Sequence, residues 1–344
     1  MSQDEQHMLA AQSRADDFRP VEVILPRDVP LGGPRGMKVH RTIPHRQRPM
    51  IGAWCFVDHY GPDGVAVTGG MDVAPHPHCG LQTVSWLFQG KIAHIDSGGG
   101  RGVVHPGEVN LMTAGEGICH SETSTADTSV LHGVQLWIAL PEDARRTAPR
   151  AFEHYVPPEV TLGPAAQPTG VMRVFLGEFG GERSPVDTHS PLLGVELRIA
   201  PGAEVELALN PDFEHGLLVD VPGIHLENIP LPARAIGYMG VGETAMRIHN
   251  TTDEWVYAVL IGGTPFEEEI VMWWNFIGRD YEEIKTARAQ WQDRSERFGE
   301  VEGYVGLGGP GKNGDGMSWL PAPKLPNATL KPRRNPGPTA RVQH

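Results

Sequence analysis

Cysteine is scarce in this chain: three residues in 344, Cys55, Cys79 and Cys119, an odd and sparse set that excludes a disulfide-built scaffold and fits a reducing, cytoplasmic compartment. Long hydrophobic runs are missing as well. The longest, such as Val256 to Ile261, are strand-sized and far short of the roughly 20 apolar residues of a membrane helix. The N-terminal MSQDEQHMLAAQSRADDF has no apolar stretch of the kind that directs secretion. Positive charge is in deficit, 29 Lys and Arg against 42 Asp and Glu for a net of −13, so the surface as a whole would repel a nucleic-acid backbone. Before residue 278 no helical period of convincing length occurs.

Glycine and proline are abundant instead, 42 and 31 residues, which demands frequent turns and leaves room for few helices. Short β-rich segments recur between those turns: Thr83 to Phe88, Val109 to Met112 and Gly133 to Ile138, then Met172 to Leu176, Leu192 to Ile199, Glu204 to Leu209, Gly216 to Val221, Ala245 to His249 and Trp255 to Ile261. The length suggests roughly two domains. We therefore expect an all-β chain of two halves, each a sandwich or barrel: a flexible N-terminus at 1–20, a first domain at 21–160, a crossing near 157–170 and a second domain at 171–277. A helix at 278–300 follows, with Asp280 as N-cap, Glu283 completing a capping box, and Ile284, Ala287, Trp291 and Phe298 forming its apolar seam. The remaining 301–344 is rich in Pro, Gly and basic residues and is expected to be extended or disordered.

Two short patterns carry chemistry, His76-Pro77-His78 and His120-Ser121-Glu122. On an extended backbone, residues two apart share a face. If the two segments oppose each other inside a barrel, three neutral imidazoles and one carboxylate converge and leave positions open on a metal. That ligand set suits Fe(II), and Mn, Co, Ni, Cu or Zn are compatible with it. Trp86, Met112, Gln135 and Trp137 lie on neighbouring strands and are the candidate lining of a substrate cavity. Gln82 is either a hydrogen-bonding support for the ligands or a surface residue of its strand. Cys79 and Cys119 flank ligands and read as small buried apolar groups rather than a redox switch. In the second half, the spacing that places His76 and His78 before Gly90 falls on Leu209 and Pro211 before Gly223. Neither binds metal, and His189, His215, His225 and His249 read as packing or surface residues.

The segments FVDHYGP (56–62), HPHCGLQTVSWLFQGKIAHIDS (76–97), HPGEVNLMTAGEGICHSE (105–122) and HGVQLWIALP (132–141), in this order, resemble the pirin family. The resemblance implies two stacked cupin barrels with metal, usually iron, in the N-terminal one only, held by His76, His78, His120 and Glu122. It also implies activity as a quercetin 2,3-dioxygenase: a flavonol or similar planar aromatic and dioxygen as substrates, Glu122 acting as both ligand and base, and carbon monoxide and a depside as products. An alternative role implied by the same resemblance is metal- or redox-dependent regulation through a protein partner, a transcription factor or a metabolic enzyme. Cys79 and Glu116 replace arginines common in the family, which is expected to remove positive charge from the mouth of the site.

Overall fold

The fold is described for residues 21–31 and 37–336 of a computed structural model. The N-terminus at 1–20 and the last eight residues of the tail lie outside the described residues. Among the described residues, twelve strands precede residue 156: β1 (Glu22–Ile24), β2 (Arg27–Leu31), β3 (Met37–Ile43), β4 (Trp54–Gly64), β5 (Asp72–His78), β6 (Leu81–Gln89), β7 (Ile92–Asp96), β8 (Arg101–Val104), β9 (Val109–Thr113), β10 (Ile118–Ser124), β11 (Val130–Ala139) and β12 (Ala151–Tyr155). Short strands of this kind bury their apolar faces by stacking sheet on sheet. The order β12-β9-β6-β11-β4-β3-β2 makes a seven-stranded sheet, and β5-β10-β7-β8 makes the four-stranded sheet of the same barrel.

The second barrel repeats the plan. Its seven-stranded sheet runs β1, Ile236–Met239, Glu214–Val219, Val256–Gly263, Leu192–Ile199, Gly170–Leu176 and Val160–Leu162. Its four-stranded sheet runs Glu204–Ala208, Ala245–Asn250, Ile224–Leu226 and Ile229–Leu231. The two-barrel, all-β expectation holds, with one amendment: β1, expected in the first domain, pairs with Ile236–Met239 and belongs to the second. The crossing is also shorter than expected, falling between the end of β12 at Tyr155 and the next strand at Val160.

Strand parity decides what each barrel encloses. Along β6 and β11, Ser85 opposes Gln135 and Thr83 opposes Trp137, whereas Trp86 opposes Val134 and Val84 opposes Leu136. The first set faces the interior of the first barrel and the second faces the other barrel. The result is one apolar core through the interface, joining Trp54, Trp86, Phe88 and Val134 to Phe175, Leu218, Val259 and Ile261. The Trp54 indole N–H reaches both the Leu193 and the Gly262 carbonyls at 3.1 Å. Truncating a tryptophan so buried costs about 3–5 kcal/mol.

Helices are few and short. Val65–Thr68 (α1) and Glu142–Thr147 (α2) escaped the periodicity because neither is long enough to express one. The expected helix is Tyr281–Gln292 (α3), capped by Asp280, whose carboxylate accepts the Glu283 N–H at 2.9 Å. Ile284, Ala287 and Trp291 are its buried seam. Phe298 is buried too, but beyond the helix end, and the Glu283 carboxylate accepts from the Arg279 N–H instead of reaching back to the cap.

The tail corrects the alternative of disorder. Residues 301–336 are irregular apart from a small hairpin that pairs Val305–Gly306 with Gly309–Pro310, yet Tyr304, Leu320 and Ala322 are buried and Met317 packs against the first barrel. Asp72 fixes it, accepting the Tyr304 hydroxyl at 2.6 Å and the N–H groups of Leu307 and Gly314 at 3.0 and 2.7 Å. Further along, the Leu320 N–H donates to the Pro75 carbonyl and its carbonyl accepts the Trp291 indole N–H, both at 2.8 Å. Composition made this segment look unable to bury area; four apolar side chains and a carboxylate that gathers backbone donors are enough to seat it.

Candidate metal centre

His76 and His78 alternate along β5, and His120 lies directly opposite His76 on β10. Their rings gather at centroid separations of 4.3 to 5.1 Å, and one nitrogen from each lies within 4.8 Å of the others. Burial pushes His76 down to about 4 and holds His78 and His120 well below the usual imidazole range. All three are neutral at pH 7, the form that ligates a metal. The His76 Nδ1–H donates to the Ala74 carbonyl at 2.9 Å, which leaves Nε2 bare. His120 Nε2 and His78 Nδ1 are buried without a protein partner. Orphaned buried nitrogens are costly, and a divalent cation satisfies them, so this trio fits the metal that the sequence implied.

Glu122 stands beside the trio and groups with His120 and His94. A register shift between His120 and Glu122 sets it opposite Val73 on β5, rather than in the row of His76. Burial raises its carboxyl above the ordinary range. The Ser85 hydroxyl donates to its Oε1 at 3.0 Å, and Gln135 Oε1 lies 3.1 Å from the same hydroxyl. The Tyr60 hydroxyl, buried and without a partner, has its own pKa raised by burial and by the Glu122 charge.

Of the four residues expected to line a cavity, the structure brings two together there. Gln135 and Trp137 border a cavity of about 500 Å³ with His76, His78, His120 and Glu122. Phe56 stacks on Trp137 at 4.0 Å and 10°, and the Arg41 guanidinium lies 4.1 Å over Phe56. Trp86 is misplaced by one residue of parity: it faces the second barrel, stacks on Phe175 and donates to Glu196. Met112 faces the right way but is buried against Ala114, Ile118 and Phe152, away from the cavity. Gln82 is fully buried and donates to Thr113 Oγ1 and the Asp187 carbonyl, so neither earlier reading describes it. Cys79 and Cys119 are buried and unpaired, with burial pushing their thiols up. Glu116 does not stand at the mouth: it borders a separate hollow with Cys79, Arg145 and Arg297. The opposite wall comes from the tail and the segment before the helix, Met317, Leu320, Pro321 and Pro323 with Met272 and Trp274.

Sequence reasoning missed His94 and Asp96. They alternate along β7 as the candidate ligands do on their strands, with His94 opposite Glu122 and Asp96 opposite His120. It also missed a second buried group, in which His59 Nε2 and His132 Nε2 both lie 2.9 Å from Asp220 Oδ1 across the barrel interface. The second barrel has apolar side chains where the first has its candidate ligands, with Leu207, Leu209, Met246 and Ile248 in its core. A larger hollow of about 950 Å³ at its mouth is bordered by His215. His249 sits outside that core, opposite His225. Among the described residues, no helix is long and apolar enough to cross a membrane.

Comparison with known proteins agrees with this architecture. Residues 36–138 match the family described as Pirin, and 194–299 match the Pirin C-terminal cupin domain. A Pseudomonas aeruginosa protein provisionally named quercetin 2,3-dioxygenase PA1205 is 42% identical over 81% of this chain and 86% of its own length. A pirin-like protein of Caulobacter vibrioides is 32% identical over 74% of this chain and 88% of its own. The crystal structure of a quercetin 2,3-dioxygenase from Acinetobacter baumannii superposes with a TM-score of 0.81 at 37% identity, covering 94% of this chain and 99% of the other.

Proposed function

The chain belongs to the pirin family, and on that premise we propose that it is a metal-dependent dioxygenase of the quercetin 2,3-dioxygenase type, with His76, His78 and His120 holding the metal and Glu122 completing the set. The observation that carries this reading is the convergence of three neutral imidazoles, two with orphaned nitrogens, on a 500 Å³ cavity bordered by the rings of Phe56 and Trp137. Iron(II), the metal this donor set suits best, supplies a Lewis acid for the substrate's 3-oxygen and a one-electron partner for dioxygen.

The protein's own groups do the rest. A flavonol is planar and aromatic, and the rings of Phe56 and Trp137 border the cavity that would take it. Glu122 takes the 3-hydroxyl proton at a carboxylate oxygen; burial strengthens it as a base, while the Ser85 hydroxyl fixes its orientation. The docked tail narrows the cavity and keeps bulk water from the reacting ring. One dioxygen is incorporated, the heterocycle opens, carbon monoxide leaves and a depside remains.

The test is flavonol consumption under oxygen by protein loaded in turn with Fe(II), Mn(II), Co(II), Ni(II), Cu(II) and Zn(II), with carbon monoxide measured. Stoichiometric release of carbon monoxide is expected, and Glu122→Gln should lower kcat by about 10²–10⁴. If no metal supports flavonol loss, the enzymatic reading fails and the regulatory role stands in its place.

A further inference from the structure

Building on that metal site, we propose that His94 is a positioning residue and that Asp96 and His94 form an outer relay, locking His120 with Nε2 toward the metal and strengthening it as a donor. The geometry begins with two like atoms. His120 Nδ1 and His94 Nδ1 lie 3.3 Å apart, a separation at which one must carry the proton and the other accept it. A histidine that ligates through Nε2 carries its proton on Nδ1. His120 is then the donor, His94 Nδ1 is the acceptor, and the His94 proton resides on its Nε2.

That nitrogen lies 3.0 Å from Asp96 Oδ2. The tautomer required by ligation at one end of the chain is thus the one that the carboxylate stabilises at the other. Asp96 is itself held, its Oδ1 accepting from the Gly98 and Gly100 N–H groups at 2.7 and 2.9 Å. The His94 ring cannot swing away, because it stacks on Phe152 at 4.6 Å and 17°. His76 has a different support, the neutral Ala74 carbonyl. Within the trio, His120 alone is backed by a carboxylate through a second imidazole, so the relay makes it the strongest donor and favours the oxidised state of a redox metal.

The competing assignment makes His94 a ligand, since it groups with His120 and Glu122. Three variants separate the two: His94→Leu, His94→Gln, whose amide oxygen can still accept from His120 Nδ1, and Asp96→Asn, which keeps an acceptor but loses the charge. The readouts are metal affinity by chelator competition and the Fe(III)/Fe(II) potential of full-length protein, with circular dichroism to establish folding. His94→Leu and Asp96→Asn should bind metal about 10–100-fold more weakly with a more positive potential, and His94→Gln should keep one metal per chain and lose least. Unchanged affinity and potential in Asp96→Asn and His94→Gln, the variants least apt to misfold, overturn the relay. Complete loss of metal from folded His94→Gln makes His94 a ligand and also overturns it. Parent protein that binds no divalent metal overturns the site reading underneath, a result separable from either.

Discussion

The Trp86 indole N–H donates to the Glu196 carboxylate at 2.9 Å, joining the first barrel to the second through a buried, charge-assisted bond. Arg173 approaches the other oxygen of the same carboxylate at 2.8 Å. Trp86→Phe keeps much of the stacking on Phe175 but leaves that oxygen short of a donor. It should lower unfolding stability by about 1.5–3 kcal/mol in a denaturant titration, with metal content and flavonol affinity unchanged. A loss of metal would return Trp86 to the site.

Metal content should follow the trio and ignore the second barrel. We expect one ion per chain, absent from His76→Ala/His78→Ala and reduced at least tenfold in affinity by His78→Ala. His249→Ala should match the parent, because His249 lies outside the aliphatic core of the second barrel and, among the described residues, joins no cluster of metal-ligating side chains. Elemental analysis after gel filtration measures both, and full occupancy in the double variant would sink the ligand assignment.

The docked tail predicts that its removal is felt. Leu320 is 8% exposed and packs with Tyr304 and Met71, so Leu320→Ala should cost about 2–3 kcal/mol, and ending the chain at residue 303 should cost more. The truncated protein should also admit bulkier flavonols, since Met317, Leu320, Pro321 and Pro323 form one wall of the cavity. Equal melting temperatures for full-length and truncated chains would show that the contact adds nothing.

Acid should destabilise the fold in a window set by buried imidazoles. Burial pushes His215 down to about 4, against about 6.5 in an unfolded chain. As pH falls below about 6.5 the unfolded state takes up a proton that the folded state refuses, so stability declines until about pH 4 and this contribution then levels off, a loss of about 3 kcal/mol. His215→Gln should flatten that part of a stability-against-pH curve measured on metal-free protein. An unchanged slope would exclude His215 as a source of the acid sensitivity.

The alternation in His76-x-His78 and His120-x-Glu122 made the candidate cluster legible in the sequence, because a period of two is a property of the strand itself. The same alternation was present in His94-x-Asp96 and went unread. Trp86 was misassigned because a strand's position in the sheet does not reveal which of its faces meets the second barrel; only the pairing of Trp86 with Val134 and of Ser85 with Gln135 separates them. The seating of the tail depended on contacts more than 200 residues away in sequence, such as Tyr304 to Asp72, and composition carries no information about such partners. The Asp220 clasp on His59 and His132 was hidden for the same reason.

The pairing of β1 with Ile236–Met239 bears on how the protein is made. Glu22 leaves the ribosome before any of the first barrel, yet its partner Tyr238 is added 216 residues later, which at roughly 5–20 residues per second is a wait of about 10–40 s. Through that interval the first barrel can close while its leading segment, Val23 and Ile24 included, stays without a strand to dock on. The two barrels thus exchange segments, β1 going to the second and residues 304–320 to the first, and a chaperone that masks short apolar segments has a defined window in which to act.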